Sequence, residues 1–538
     1  MVSSKKFAAL APIIRDICRT SGIPGIALGV LHQDEVVYTA AYGFADVEKQ
    51  APCDEDTTFV LGSLTKAMTA ALVSSLIHDG SLLSWDVPLK TILPDFNRSD
   101  AYGDATIADL LCHRTGLAAL DSLWLASDNV PFLARSKAVH ILNHAPAARA
   151  FRSHFVYNNF AYEVLGQVIE KVSGASFADF LQDRLLTPLG MTRTYYTGEC
   201  RENEAKPYAA LENASVVQIA PPLKGKDVLM GSAGGIRSSV NDLLRLYSAF
   251  ISCARDEMTF SDSTDGQPLK GVLDLWQGHI LLPSRSLRER SYAYGWARTQ
   301  LPGILSPGDN GKSELDPMVG TGAPSRLALH HGGSIPGFNT YNALFPETGS
   351  AIVVLTNSLS LNGGVRWIGE LLIEALFNNL DNAQDYGKLA RMSVASSLER
   401  HINVNRSLAD GRTAKTPTHP LNSYVGRYLN SGNFFIDIKH HEDSLYVSYM
   451  GRDADTFGLV PYQEDSFYWS LSYDGCVKLA RETGYDKEYF IIRFGSDVAG
   501  SDVTHLWWRH EYDLPEPGES FHKIKEELVP TKPIPGEL

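Results

Sequence analysis

Ser63 and Lys66 stand three positions apart in Val60-Leu61-Gly62-Ser63-Leu64-Thr65-Lys66, at the head of an Ala-, Leu- and Met-rich segment that runs to Gly80. Such a segment with a terminal glycine reads as a buried helix, and at this spacing both side chains share one face of its first turn. A serine hydroxyl is a weak nucleophile until a base takes its proton. A lysine serves as that base only where burial or nearby positive charge lowers its pKa. The helix N-terminus opposes the ammonium with its partial positive charge and offers free backbone N–H groups to an oxyanion. The spacing alone is a weak motif, because a serine precedes a lysine this way often by chance. An ammonium in an otherwise apolar helix nevertheless needs something to hold it.

Two further stretches carry chemistry. Tyr157-Asn158-Asn159 precedes a helix expected over residues 164–172 and places a phenol and an amide together on a loop. The plain alternative is an aromatic ring packed beside an Asn N-cap. Residues 327–338 run a strand into His330-His331-Gly332-Gly333-Ser334. A glycine pair lets backbone approach a ligand closely, and the alternative is a glycine-rich turn beside a structural histidine.

The elements that must position these residues follow from the apolar pattern. Residues 23–31 and 35–43 flank a polar turn and predict a hairpin packed closely against helices, and residues 341–345 and 351–357 predict a second. A helix from Val365 to about Asn379 belongs behind that second hairpin. Thr106 with Asp109, and Ser239 with Asp242, have capping-box spacing, and a helix is expected from about Phe177 to Leu186. Residues 1–16 read as an amphipathic helix, and residues 259–316 as helix plus long surface loops. Strands at both ends with helices between imply one sheet built from N- and C-terminal segments around an inserted helical region. Residues 403–420 are rich in Thr, Pro, Lys and Arg and read as a linker; short alternating strands beyond them predict a small β-barrel or sandwich. The expected division is residues 1–400, a linker over 401–420, and residues 421–538.

The chain has 538 residues, enough for about two to four domains with a large core. With 44% hydrophobic and 20% charged residues it has the composition of a soluble globular protein. A formal net charge of -14 argues against a nucleic-acid or anionic membrane partner. The N-terminus lacks an uninterrupted apolar core and nothing elsewhere approaches the roughly 20 apolar residues of a membrane span, so a cytoplasmic protein is expected. The six cysteines lie far apart without metal-ligand spacing and are expected to be buried free thiols, with no metal and no cofactor. Sequons at Asn97, Asn213 and Asn405 are expected to be unused in a protein that stays inside the cell.

Taken together, Ser63-Leu64-Thr65-Lys66, Tyr157-Asn158-Asn159 and His331-Gly332-Gly333 resemble, in order and separation, the three active-site motifs of the serine β-lactamase and penicillin-binding-protein superfamily. The resemblance is to its class C β-lactamase, D-aminopeptidase and esterase branch and spans residues 8 to about 380. Framework stretches such as Leu110-Leu111-Cys112-His113-Arg114-Thr115-Gly116-Leu117 and Gly231-Ser232-Ala233-Gly234-Gly235 also look like family signatures. The tail from about residue 421 resembles the lipocalin-like C-terminal domain of some peptidases of this branch. The resemblance implies an α+β fold, an antiparallel sheet flanked by helices with an inserted helical region, followed by an all-β barrel.

It also implies roles. Ser63 would be the acylated nucleophile, Lys66 and Tyr157 would share the base and acid work, and Asn159 would position Lys66 and the substrate amide. The N–H groups of Ser63 and Ser334 would form the oxyanion hole, with Gly333 beside the substrate. His331 stands where class C β-lactamases carry a lysine and would bind a substrate carboxylate weakly and switchably, which disfavours β-lactam hydrolysis and favours esters or peptides. His330 would point to the other strand face. The implied activity is that of a serine hydrolase on small esters or amides, a D-amino-acid peptide among them. The alternatives are an intracellular acyltransferase of a biosynthetic pathway, a β-lactamase, and a catalytically silent binding protein. The expected partner is a small-molecule or short-peptide substrate, and assembly into a homo-oligomer stays open.

Overall fold

The computed structural model describes residues 4–198, 200–259, 267–306, 315–413, 417–497 and 502–524. The apolar runs near the N-terminus form β1 (Gly25–His32) and β2 (Glu35–Asp46), joined at Gln33-Asp34 with both residues in the left-handed region, and β3 (Ala51–Pro52) follows. The second half supplies β4 (Ile280–Leu281), β5 (Arg290–Tyr292), β6 (Ala297–Leu301), β7 (Arg326–Ile335), β8 (Phe338–Phe345) and β9 (Ser350–Thr356). They make one nine-stranded sheet in the order β3-β2-β1-β9-β8-β7-β6-β5-β4. The N-terminal hairpin and the C-terminal one meet where β1 pairs antiparallel with β9, Ile26 opposite Thr356.

The central strands are buried on both faces, and period-two alternation divides their side chains between two cores. Ile26, Leu28 and Val30 of β1 join one cluster with Ile14 and Ile17 of α1 (Ala11–Ser21) and Trp367 and Leu372 of a later helix. Ala27 and Leu31 face the other cluster, which contains α2 (Thr65–His78), α3 (Asn159–Ser173) and α4 (Val240–Met258). Helix α2 is buried from Thr65 to Leu76, which is what an all-round apolar sequence requires of a central helix. It ends as Asp79 and Gly80 turn out of it, Gly80 at φ 79°. The capping box at Thr106 forms in full, and Ser239 caps α4 by accepting from the Asp242 N–H.

Behind the sheet lie α5 (Gly364–Leu376) and α6 (Tyr386–Asp410). Helix α6 continues through the first half of the stretch read as a linker, held at His401 and Leu408, which are buried. Of residues 1–16, the first three lie outside the described residues and the rest give two helical pieces, Ser4–Ala8 and the start of α1, which opens next to Pro12. The reading of residues 259–316 as helix and long loops holds for the short helix Val272–Trp276 and is otherwise corrected: apart from residues 260–266 and 307–314, which lie outside the described residues, the stretch also holds β4, β5 and β6 of the sheet. Their pattern is masked by polar residues that face inward, Arg290, Ser291 and Thr299, all buried.

From Gly426 the chain closes an eight-stranded antiparallel barrel: β10 (Gly426–Leu429), β11 (Phe435–His441), β12 (Ser444–Tyr449), β13 (Thr456–Gln463), β14 (Ser466–Tyr468), β15 (Ile491–Gly495), β16 (His505–Trp508) and β17 (Glu519–Lys523). Strands β13 and β17 escaped the sequence reading. β13 carries Gly458 and Pro461, the latter at an irregularity of its pairing with β14, where a missing N–H is tolerated. The barrel is filled by aromatic residues whose polar tips are satisfied: Trp469 Nε1 donates to Tyr449 OH at 2.9 Å and Trp508 Nε1 to the Tyr489 carbonyl at 2.7 Å. It packs on the inserted helical region, where the rings of Phe434 and Phe132 meet edge to face at 5.4 Å. No helix among the described residues is long and apolar enough to cross a membrane. Five of the six cysteines are buried and free as expected, whereas Cys200 is exposed and free.

Candidate active site

Ser63 lies in a short 3-10 turn, Gly62–Leu64, that leads into α2. The turn is seated on β7 at closest backbone approach. A Cβ added to Gly333 would stand 2.1 Å from the Leu61 carbonyl oxygen, and one added to Gly62, itself at φ 54°, would stand 2.7 Å from the Ser334 amide nitrogen. Only glycine fits at both places. The Ser63 turn and the backbone of Gly333 and Ser334 are thereby made neighbours.

Lys66 is in the first turn of α2 and fully buried. Its ammonium has three donors and three acceptors: Ser63 Oγ at 3.0 Å, Asn159 Oδ1 at 2.7 Å and the Ala233 carbonyl at 2.9 Å. It also lies 4.9 Å and 5.3 Å from the ring centres of Tyr157 and Tyr162. Burial pulls its pKa down to about 7, against the upward pull of Asp121. Tyr157 OH donates to Ser63 Oγ at 2.7 Å, and burial holds the phenol far above its ordinary range, so it is protonated at neutral pH. Asn159 does not sit on a loop. Asn158 caps α3 by accepting from the Ala161 N–H at 2.9 Å, so the helix opens at Asn159, about a turn earlier than expected, and turns that amide toward Lys66.

His331 is also buried, and both ring nitrogens are engaged within the protein: Nδ1 donates to the Gly332 carbonyl at 2.6 Å, leaving Nε2 to accept from Tyr292 OH at 3.0 Å. Burial, reinforced by Lys66, pushes its pKa down to about 4. In this arrangement the ring is neutral at pH 7 and presents no free donor to a substrate carboxylate. His330 contacts Thr299 Oγ1 at 3.0 Å through Nε2 and is fully buried.

The sequence reading singled out Ser63, Lys66, Tyr157, Asn159, His331, Gly333 and Ser334, and the fold brings them to one place. It missed Asp121, whose Oδ1 accepts from Asn159 Nδ2 and Trp124 Nε1, each at 2.9 Å, and whose pKa is raised by burial. It gave no role to His113, whose ring lies 4.3 Å from that of Tyr157 and accepts the Asn158 N–H at Nδ1. It also missed the barrel's share. A cavity of about 800 Å³ opens over Ser63 and is walled by both halves of the chain, the barrel contributing Glu482, Tyr485 and Glu511. Glu482 lines the cavity with its side chain open to solvent, and desolvation by the surrounding protein, with Asp121 nearby, raises its pKa. A second, smaller cavity of about 70 Å³ also reaches Ser63 and is lined by Trp124, Leu125, Pro131, Leu223 and Val228.

An antiparallel sheet interrupted by a helical region, with a Ser-Lys-Tyr cluster at their junction, defines the architecture of the serine β-lactamases and penicillin-binding proteins. The chain belongs to the beta-lactamase family, a serine hydrolase family whose model matches residues 10–375. A domain of unknown function (DUF3471) matches residues 411–523, the barrel and the chain leading to it. Among curated relatives, unguisins hydrolase ungD of Aspergillus violaceofuscus is 28% identical over 438 residues, covering 76% of this chain and 72% of that protein. The D-aminopeptidase of Brucella anthropi is 27% identical over 46% of each chain. Among solved structures, the octameric penicillin-binding protein homologue of Pyrococcus abyssi shares the fold with a TM-score of 0.54 at 22% identity, over 96% of this chain and 99% of that one.

Proposed function

We propose that this protein is a serine hydrolase that forms an acyl-enzyme at Ser63 on small ester or amide substrates, short peptides among them. The observation that carries the reading is the double contact on Ser63 Oγ, from a lysine whose pKa lies near 7 and from a protonated phenol. With Lys66 neutral, the Ser63 hydroxyl donates its proton to the Nζ lone pair as Oγ attacks the substrate carbonyl carbon. The carbonyl oxygen takes up the negative charge beside the N–H groups of Ser63 and Ser334. Tyr157 carries the proton onward to the leaving amine or alcohol as the bond to it breaks, leaving an ester at Ser63. Water then attacks that ester with the same groups as base and acid, releasing the acid product and restoring Ser63.

Two features favour neutral or cationic esters and peptides over substrates that present a carboxylate to the third motif. His331 is neutral with no free donor, and the same cavity is lined by the carboxyl groups of Asp121, Glu482 and Glu511. The relatives named as an unguisins hydrolase and a D-aminopeptidase accord with this reading. Release of the acyl group to an alcohol or amine instead of water uses the same first half-reaction.

The test is intact-protein mass spectrometry after brief exposure to a panel of activated esters, D-peptides and β-lactams. A mass increase present in the wild type and lost in Ser63→Ala is expected. Equal turnover of an activated ester by both proteins would remove Ser63 from the mechanism.

A further inference from the structure

The loop that carries Asp121 is held from outside its own domain. The backbone N–H of Ser122 donates to Glu511 Oε1 at 3.0 Å, and Ser122 Oγ lies 2.7 Å from the His510 carbonyl and 3.1 Å from Glu511 Oε1. His510 and Glu511 belong to the barrel loop between β16 and β17. That loop is braced in turn: His510 Nε2 and Glu519 Oε2 are 2.7 Å apart, and Asn430 Nδ2 donates to Glu519 Oε1 at 3.0 Å. Five residues on, the same active-site loop is fastened again, Ser127 N–H and Oγ donating to Asp455 Oδ1 at 2.9 and 2.8 Å, and Asp128 N–H to the Leu479 carbonyl at 2.9 Å. Asp121 thus directly precedes the first of two barrel anchors, and it is the acceptor for the Asn159 amide whose other end receives Lys66.

We propose that Glu511 of the barrel is a positioning residue for the Lys66 base: by holding the Ser122 amide it sets the Asp121–Asn159–Lys66 chain, so that the barrel is part of the catalytic unit. The path runs by hydrogen bond from Glu511 to Ser122, through the backbone to Asp121, and by hydrogen bonds on to Asn159, Lys66 and Ser63. Each is at ordinary distance, and the groups at the Lys66 end are buried, where a misplaced partner is expensive. The other charged and titratable groups around Lys66 are His331, His113 and the phenols of Tyr157 and Tyr162. They belong to the catalytic domain, whereas Asp121 faces the barrel carboxyls of Glu482, Asp513 and Glu511, the last pushed up to about 7 by burial, and so links the barrel to the base. Asp121 also raises the lysine's pKa, so its displacement has a sign: Lys66 should lose its proton more readily.

The inference rests on the acyl-enzyme reading, and the experiment separates the two. The comparison of wild type with Ser63→Ala on an activated ester reports on that reading. Glu511→Ala, Glu511→Gln and Ser122→Ala, each checked for an unchanged circular dichroism spectrum, report on positioning. Glu511→Ala should lower the acylation rate constant by roughly tenfold or more, with the acid limb of its pH profile moved to lower pH. Glu511→Gln keeps an oxygen for the Ser122 N–H and should restore rate and limb, while Ser122→Ala should shift both in the direction of Glu511→Ala, by less. A crystal structure of Glu511→Ala gives a reading free of activity and should show the 2.9 Å contact between Asn159 Nδ2 and Asp121 Oδ1 broken. An intact contact in that structure, or an acid limb that stays in place while the rate falls, would overturn the proposal.

Discussion

Lys66 is the residue on which the chemistry turns, because its burial does two things. It makes an ammonium expensive and it brings three acceptors to the one nitrogen. A base with a pKa of about 7 must lose its proton to act. The acylation rate should therefore rise about tenfold per pH unit below pH 7 and level off above it, a profile measurable with an activated ester under single-turnover conditions. Tyr157→Phe removes the hydroxyl that reaches Ser63 and leaves the ring. It should slow acylation roughly 100- to 10,000-fold in stopped-flow measurements with little change in stability. His331 gives a stability prediction instead. Its folded pKa of about 4 lies below the ordinary 6.5, so the native state binds fewer protons than the unfolded one. Its contribution is complete above about pH 6.5 and is lost as the pH falls toward 4. A denaturant series across that window should show a shallower decline for His331→Gln than for the wild type.

At the level of elements, the site is a meeting of a turn and a strand. Gly62 and Gly333 let the 3-10 turn before α2 press against β7, and this contact brings the turn that carries Ser63 against the backbone of Gly333 and Ser334. Gly333→Ala would drive a methyl group into the Leu61 carbonyl and Thr340 Oγ1, at 2.1 and 2.2 Å before relaxation. A loss of about 1–3 kcal/mol is expected in chemical denaturation, with a larger proportional loss of acylation, because the turn carries the nucleophile. The cap at Asn158 is a second such device. It starts α3 two residues after Tyr157, so that phenol and amide leave the backbone in the directions that meet at Ser63 and Lys66.

In the whole molecule, the barrel and the catalytic domain share the wall of one cavity and hydrogen bonds from the loop of Ser122 and Ser127 to buried carboxylates of the barrel. Asp455, fully buried, accepts from Ser127 and from Arg481 Nη1 at 2.7 Å, and it pairs with Arg452 as well. Asp455→Ala would leave the Arg481 guanidinium buried without its carboxylate, and the break of such a pair carries a penalty of about 3–5 kcal/mol. The expected outcome is a lowered unfolding midpoint, read by tryptophan fluorescence from Trp469 and Trp508 inside the barrel. The measurement fails the idea if the midpoint is unchanged.

What the sequence determined by itself was the local chemistry and the order of the parts. Ser63, Lys66, Tyr157 and Asn159 were legible because their spacing and their apolar surroundings are one-dimensional signals. The two hairpins and most barrel strands were legible from alternation, and the sheet built from both chain ends followed from the order of strands and helices. Strands β4 to β6 were not, since buried Arg290, Ser291 and Thr299 break the apolar pattern on which such a reading depends. Asp121, His113, Glu482 and Glu511 were not either. A lone carboxylate or imidazole has no signature in sequence, and what gives these residues their place is a partner across the fold, 38 positions away for Asp121 and Asn159 and 389 for Ser122 and Glu511. The ionisation of Lys66 and His331 was likewise decided only in three dimensions, because it depends on how completely water is excluded and on which charges remain when it is gone.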